Sequence, residues 1–211
     1  MTDPNLPARH SANAPTPQLA NSPIVQALTR PYIVVLAVLA MISVVASVEL
    51  GLGREPMCTC GFVSLWHGPV DSQNSQQISD WYSFTHVLHG IAFYALLVLV
   101  ANRLPVPVRL LLAVFIEGAW EIAENSPFII DRYRTATISL DYYGDSVVNS
   151  VSDVFAMILG FVMARRLPVW ATIGFVIAVE GLLAVAIRDN LTLNIIMLIH
   201  PFEAIKRWQL G

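Results

Sequence analysis

A long run of apolar residues from Tyr32 to Leu52 constrains the fold more than any other feature of the sequence. At about 1.5 Å per residue, a helix over this run crosses a hydrocarbon core of roughly 30 Å. A cleaved signal peptide is the competing interpretation, but the preceding segment is long and polar, and no clear A-x-A cleavage site is present. We therefore expect an uncleaved membrane anchor.

Four further apolar stretches are each long enough to span a bilayer as a helix. They extend from about Ser83 to Asn102, Val106 to Asn125, Gly144 to Ala164 and Val169 to Ile187. The 211-residue chain is 55% hydrophobic and 13% charged, with a mean hydropathy of +0.61, which is too apolar for a soluble domain of this size. The sequence predicts an all-α fold, a polytopic transmembrane helical bundle of about five spans in the lipid bilayer.

The segments outside the spans differ from them in composition. Residues 1–30 are rich in proline and small polar residues, so we expect a disordered N-terminal tail. The transmembrane helical domain covers residues 31–190 and includes a loop from Ser126 to about Tyr143. Residues 191–211 have too short an apolar run to cross the membrane and contain Pro201, which indicates a C-terminal interfacial or re-entrant helix.

The polar residues of the spans are predicted to lie toward one membrane face. Consecutive spans cross in opposite directions, and the polar part is the end of spans one, three and five but the start of spans two and four. The residues then expected at comparable depth are Glu49, His86, His89, Glu121, Glu124, Asp145, Asn149 and Glu180. Carboxylates at membrane depth are costly unless they face a cavity, a partner or an ion, so the sequence predicts one polar pocket.

Arginines beside the opposite ends of the spans indicate the orientation in the membrane. They are Arg30, Arg103, Arg109, Arg165 and Arg166. Short loops rich in Lys and Arg remain in the cytoplasm, which places the N-terminus there and the pocket on the periplasmic face. Arg132 and Arg134 fall on the pocket side, among acidic residues.

Two histidines one helical turn apart, His86 and His89, suggest a metal site. With Glu121 and Asp145 they supply the ligand types that suit zinc, manganese or iron. The alternative is polar packing, in which each histidine pairs with a carboxylate or a lipid headgroup, and no HExxH or ExxH motif is present. The cofactor therefore stays open, with a divalent metal as one candidate.

Acid/base catalysis is a second interpretation of the same pocket. Acidic and amide groups recur at helical spacing at Glu117, Glu121 and Glu124 and again at Asp145, Asn149 and Asp153. The candidate catalytic residues are Glu121, Glu124, Asp145, Asn149 and His86. A low dielectric and neighbouring negative charge raise carboxyl pKa values toward the working range. The activity stays open: an enzyme acting on a lipid or amphipathic envelope substrate is the leading interpretation, and a proton- or ion-coupled carrier or an accessory membrane subunit are the alternatives.

Other partner classes find little support in the sequence. The formal net charge of −3 is small, and neither a basic run nor a nucleotide-binding loop is present, so no nucleic-acid partner is expected. The C-T-C-G pair, Cys58 and Cys60, forms an incomplete metal set with His67, and we predict a structural role. In an oxidising compartment these two thiols would be oxidised. The sequence gives no indication of protein partners.

Four segments carry a resemblance to a known family. They are CTCG, SLWHGPVDSQNSQQISDWYSFTHVLHG, EGAWEIAENSPFIIDRYR and DYYGDSVVNSVSD, within residues 55–190. In combination they resemble an uncharacterised family of small multi-pass proteins of the cell inner membrane, chiefly alphaproteobacterial. The resemblance implies a location in the membrane, but it implies no particular activity because none is assigned to the family. A more distant pattern of Glu117 or Glu121, an arginine, Asp145, Asn149 and Gly160 is similar to VanZ-like membrane proteins.

Overall fold

Helices account for all the regular secondary structure that the computed structural model describes, which covers residues 22–137 and 141–211. In chain order they are α1 (Pro23–Leu28), α2 (Pro31–Gly51), α3 (Ser83–Val100), α4 (Val106–Glu124), α5 (Pro127–Ala136), α6 (Val147–Arg166), α7 (Val169–Ala186), α8 (Leu191–Ile199) and α9 (Glu203–Leu210). The predicted all-α class is confirmed.

Four of these helices, α2, α3, α6 and α7, are long and apolar enough to cross a membrane. The predicted third span also forms a helix, α4. It carries Arg109 and three glutamates, and it is not among the four helices that are long and apolar enough to cross a membrane. Two of those glutamates, Glu117 and Glu121, are completely buried. Because α4 packs against α2, α3 and α6, its charged side chains point into the bundle rather than toward lipid.

The closest helix pair is α3 with α6, and two glycines allow their backbones to approach. A Cβ on Gly90 would collide with the carbonyl oxygen of Met157, and one on Gly160 would collide with the carbonyl oxygen of Val87. Small residues serve this purpose between membrane helices, where close backbone contact replaces a hydrophobic driving force. The pair α3 and α6 therefore forms the centre against which α2, α4 and α7 pack.

Three segments differ from the sequence-based expectation. Residues 1–21 of the predicted disordered tail lie outside the described residues, but its remainder includes helix α1, which begins at Pro23 and contacts α2 and α4. The predicted loop after Ser126 contains α5, because the Ser126 hydroxyl accepts a hydrogen bond from the Ile129 amide and caps the helix. The C-terminal segment forms two helices, since His200, which precedes Pro201, is extended.

A buried carboxylate, Asp189, connects the end of α7 to two distant parts of the chain. Its Oδ2 accepts a hydrogen bond from the Tyr82 hydroxyl at 3.4 Å, and its Oδ1 accepts one from the Gln209 amide at 3.1 Å. It therefore attaches the C-terminal helix α9 to the entrance of α3. Burial raises the pKa of this carboxyl to about 6.

We expect Gly160→Ala to lower the stability of the bundle. The added methyl group must displace the backbone of α3, and overpacking of this kind costs about 1–3 kcal/mol. A matched control is Gly181→Ala in α7, where nothing lies within 4 Å of the added Cβ. Thermal unfolding of both variants in detergent is the measurement, and equal melting temperatures would contradict the close approach of α3 and α6.

A second prediction concerns pH and Asp189. A carboxyl whose folded-state pKa is raised stabilises the fold most below its unfolded pKa, about 3.9, and this stability is lost as the pH rises through about 6. The variant Asp189→Asn cannot ionise, so its melting temperature should fall less than that of the wild type between about pH 4 and 7. Parallel melting curves across that range would rule out this role of Asp189.

Candidate functional site

The polar ends of α2, α4 and α6 meet around the side chain of Asn125, which follows α4. Its Nδ2 donates to Asp145 Oδ2 at 3.0 Å and to the Ser150 hydroxyl at 3.3 Å, and it lies 3.5 Å from Glu49 Oε1. In return, the Asp145 amide donates to Asn125 Oδ1 at 2.7 Å. One fully buried amide therefore joins two carboxylates and a hydroxyl from separate parts of the chain.

The two histidines of α3 face a single glutamate of α4. His86 Nδ1 lies 2.7 Å from Glu117 Oε1, and His89 Nδ1 lies 3.2 Å from Glu117 Oε2. The spacing of three residues places both rings on one helix face, and their centroids are 4.9 Å apart. Within the described residues, these three side chains are a group whose candidate metal-ligand atoms all lie within 4.8 Å of one another.

Two more carboxylates approach His86 from different helices. Glu121 Oε1, one turn beyond Glu117 on α4, lies 3.3 Å from His86 Nδ1. Asp153 Oδ2, on α6, lies 3.8 Å from His86 Nε2. Neither Glu121 oxygen accepts a hydrogen bond from any residue that the structure describes, although the side chain is completely buried. His86 is therefore enclosed by three carboxylates.

Asp145 lies just before α6, and two side chains hold its carboxyl by hydrogen bonds. The Tyr142 hydroxyl donates to its Oδ1 at 3.0 Å, while Asn125 bonds its Oδ2. Burial raises the pKa of the Asp145 carboxyl, and the hydrogen bonds from Tyr142 and Asn125 offset part of that shift. Burial also raises the pKa of the Tyr142 hydroxyl, and the adjacent Asp145 charge adds to the effect. Burial thus shifts the pKa of both groups upward from the value of the free side chain.

A cavity of about 570 Å³ opens beside these residues. Its titratable lining comprises Asp71, Tyr82, His86, His89, Glu124, Tyr133, Asp141, Tyr142, Tyr143, Asp145 and Asp153. Its apolar lining includes Phe93 of α3, Ile116 and Trp120 of α4, and Ile195 and Leu198 of α8. The cavity therefore combines an apolar wall built by helices with an acidic region and a rim formed by the connecting loops.

The predicted site residues separate into two groups in the structure. His86, His89, Glu124 and Asp145 line the cavity, whereas Glu121 is buried behind the histidines. Asn149 is not among the lining residues, and its side chain donates to the Gln77 carbonyl at 2.9 Å.

Glu180, which was expected at the depth of the pocket residues, instead caps helix α8. It accepts hydrogen bonds from the Leu191 and Thr192 amides at the start of α8.

The candidate metal-ligand group in the described part of the chain is His86, His89 and Glu117, whereas the predicted set combined the two histidines with Glu121 and Asp145. Glu117 contacts both histidines, Glu121 approaches His86, and Asp145 bonds Asn125 and Tyr142 instead. Sequence reasoning also left Asp153 out of the site. The helical spacing could have indicated both residues, because Glu117 precedes Glu121 by four residues and Asp153 follows Asn149 by four.

The segment from Arg54 to Tyr82 covers this end of the bundle. A disulfide joins Cys58 to Cys60, and the Gln77 side chain donates to Cys60 Sγ at 3.3 Å. The neighbouring Gln76 donates to the Gly144 carbonyl at 2.7 Å. These contacts agree with the structural role predicted for the two cysteines.

Comparison with known proteins gives relatives along most of the chain. The chain is 60% identical to a UPF0314 protein of Paracoccus denitrificans over 76% of its own length and 83% of the relative's. It is 53% identical to UPF0314 proteins of Sphingopyxis alaskensis and Rhizobium johnstonii, over 82% and 83% of its length and 92% and 90% of theirs. These relatives match the predicted family, and the likeness to VanZ-like proteins stays a prediction.

No solved structure matches the chain. The family described as protein of unknown function (DUF2585) matches residues 49–211, a range that begins at the buried Glu49 and includes the whole cavity. The chain therefore belongs to the DUF2585 family.

Proposed function

We propose that this protein is an integral inner-membrane enzyme that performs acid/base chemistry on an amphipathic substrate bound in the cavity. The observation that supports this most directly is the combination, in one cavity of about 570 Å³, of an apolar wall with buried carboxyl and imidazole groups. Pockets for small molecules commonly have volumes of about 300–1,000 Å³ and few convergent polar groups. Four helices long and apolar enough to cross a membrane would hold the protein, and with it the cavity, at the bilayer.

The cavity walls favour a substrate with an apolar tail. Phe93, Ile116 and Trp120 belong to helices of the bundle, so the apolar part of the cavity lies alongside the membrane-embedded core. Ile195 and Leu198 of α8 close the opposite side. A lipid or another amphipathic envelope molecule can place its chain against these residues while its polar group reaches the carboxylates.

The charge of the lining restricts the polar group of the substrate. Carboxylates line the cavity at Asp71, Glu124, Asp141, Asp145 and Asp153, whereas none of the described lining residues is Lys or Arg. An anionic head group would meet repulsion from these carboxylates. We therefore propose a neutral or positively charged head group.

Asp145 is the proposed proton-transfer residue, with His86 and Glu124 beside it in the cavity. Its raised pKa brings a carboxyl closer to neutral pH, where a group can both give and accept a proton. Its hydrogen bonds to Asn125 and Tyr142 fix the carboxyl in one orientation, as acid/base catalysis requires. In this proposal Glu121 and Asn149, which do not line the cavity, act as positioning residues.

We also propose that the cavity faces the periplasm. The arginines at the opposite span ends support this orientation, as does the disulfide in the 53–82 segment, since disulfides persist in oxidising compartments.

Cysteine labelling tests this orientation. In a Cys58→Ser, Cys60→Ser background, we expect Ser72→Cys to react with a membrane-impermeant maleimide in intact cells. Asn102→Cys should react only after permeabilisation, and the reverse pattern would place the cavity in the cytoplasm.

The activity is tested by comparing the envelope lipids of cells that lack the gene and cells that carry variants. Deletion should change the abundance of at least one amphipathic species detected by mass spectrometry, and the wild-type gene should restore it. Asp145→Asn, which keeps the shape of the side chain but cannot exchange the proton, should accumulate in the membrane and restore at most a few per cent. Glu180→Gln, a carboxylate that caps α8 outside the cavity, is the matched control and should restore the species fully.

Three results would count against the enzyme. Full restoration by Asp145→Asn would remove its proposed role in proton transfer. Failure of Asp145→Asn to accumulate would indicate that the carboxyl only supports packing. An Asp145-dependent ion flux in proteoliposomes, without any change in lipid composition, would favour the carrier.

A further inference from the structure

We propose that α3 and α4 hold a divalent metal ion between His86, His89, Glu117 and Glu121. This inference goes beyond the proposed enzyme, because the site can bind a metal whatever reaction the cavity performs. It also differs from the set expected from sequence, in which Asp145 stood in the place of Glu117.

The helical spacing brings four ligand side chains together from only two helices. His86 and His89 are three residues apart on α3, and Glu117 and Glu121 are four residues apart on α4, so each pair lies on one helix face. Both imidazoles turn Nδ1 toward α4, where the carboxylates meet them. Imidazole nitrogens combined with carboxylate oxygens suit Zn²⁺, with Mn²⁺ and Fe²⁺ as alternatives.

Two distances between the ligand atoms fit a tetrahedral ion, and the group whose atoms already lie within 4.8 Å of one another is His86, His89 and Glu117. Glu121 contacts His86 but lies outside that group, so its side chain must move toward the ion to become the fourth ligand. Bonds of about 2.0–2.1 Å at tetrahedral angles place neighbouring ligand atoms about 3.3 Å apart. His86 Nδ1 to Glu121 Oε1 measures 3.3 Å, and His89 Nδ1 to Glu117 Oε2 measures 3.2 Å. The contact between His86 Nδ1 and Glu117 Oε1, at 2.7 Å, is a hydrogen-bond length and must widen by about half an ångström when the ion enters.

The burial of Glu121 supplies the independent observation that points to a ligand. This side chain is completely buried, and neither of its oxygens accepts a hydrogen bond from the described residues. A buried carboxylate without hydrogen bonds is costly, and such groups are normally paired or coordinate a metal. Glu117, also completely buried, has ion pairs to the same histidines, so a dication would balance the charge of both glutamates.

The position of the histidines leaves the ion close to the substrate space. His86 and His89 both line the cavity, while Glu117 and Glu121 lie behind them. The nearest other carboxylate, Asp153, approaches the opposite ring nitrogen of His86 at 3.8 Å and can orient that ring from outside the ligand set. Asp145 and Glu124 line the cavity, and in the described part of the chain neither forms an ion pair with His86 or His89.

The test uses the full chain purified in detergent, with metal content measured by mass spectrometry and zinc affinity measured by titration after chelation. Purified protein should carry about one ion per chain, and zinc should raise the melting temperature of the chelated protein, because a ligand that binds the folded state stabilises it. Glu121→Gln should weaken zinc binding by at least tenfold, on the scale of a lost contact at a metal site. Asp145→Asn, a carboxylate of the same cavity outside the ligand set, should keep the wild-type affinity.

The outcomes separate the metal site from its alternatives. If chelated wild-type protein neither binds zinc nor gains stability from it, the four side chains form only a hydrogen-bonded ion pair and the proposal fails. Equal weakening by Glu121→Gln and Asp145→Asn would show adventitious binding to cavity carboxylates. Because the wild-type titration needs neither a variant nor an activity, misfolding of Glu121→Gln or failure of the proposed enzyme leaves the metal test decisive.

Discussion

The structure depends on the requirement that carboxylates buried among membrane helices have partners. Glu117 is completely buried and meets both His86 and His89, so one side chain of α4 determines how that helix faces α3. An unpaired charge in this environment costs several kcal/mol, and removing one partner of such a pair is far more damaging than losing an exposed salt bridge. The rotation of α4 that satisfies Glu117 also directs Glu121 toward His86 and carries Trp120 to the cavity wall.

The close contact of α3 and α6 supplies the second constraint. Gly90 and Gly160 let the two backbones touch, and this approach brings Asp153 of α6 to the far side of the His86 ring. Van der Waals packing between small residues does not depend on pH, whereas His86 and the carboxylates beside it can ionise. The apolar contact thus provides the rigid support on which the polar groups keep their positions.

The loops complete the site from outside the bundle. Gln76 bonds the Gly144 carbonyl and Gln77 accepts a hydrogen bond from Asn149, so the segment before α3 is attached to the segment that enters α6. Residues of both segments form the rim of the cavity. Its shape is consequently set by contacts between parts of the chain about seventy residues apart, while the apolar wall comes from the helices.

The sequence by itself determined the all-α class, the helices that form the bundle and the concentration of polar groups at one end of each, because hydrophobic length and helical periodicity are local properties. It also indicated that His86 and His89 share one face. Only the tertiary structure decided that Glu117 rather than Asp145 faces these histidines. The reason is that the depth and rotation of α4 beside α3 determine which carboxylate reaches the two rings, and neither can be read from helical spacing. The same dependence on long-range contacts explains why Asn149 was expected in the pocket but instead binds the Gln77 carbonyl.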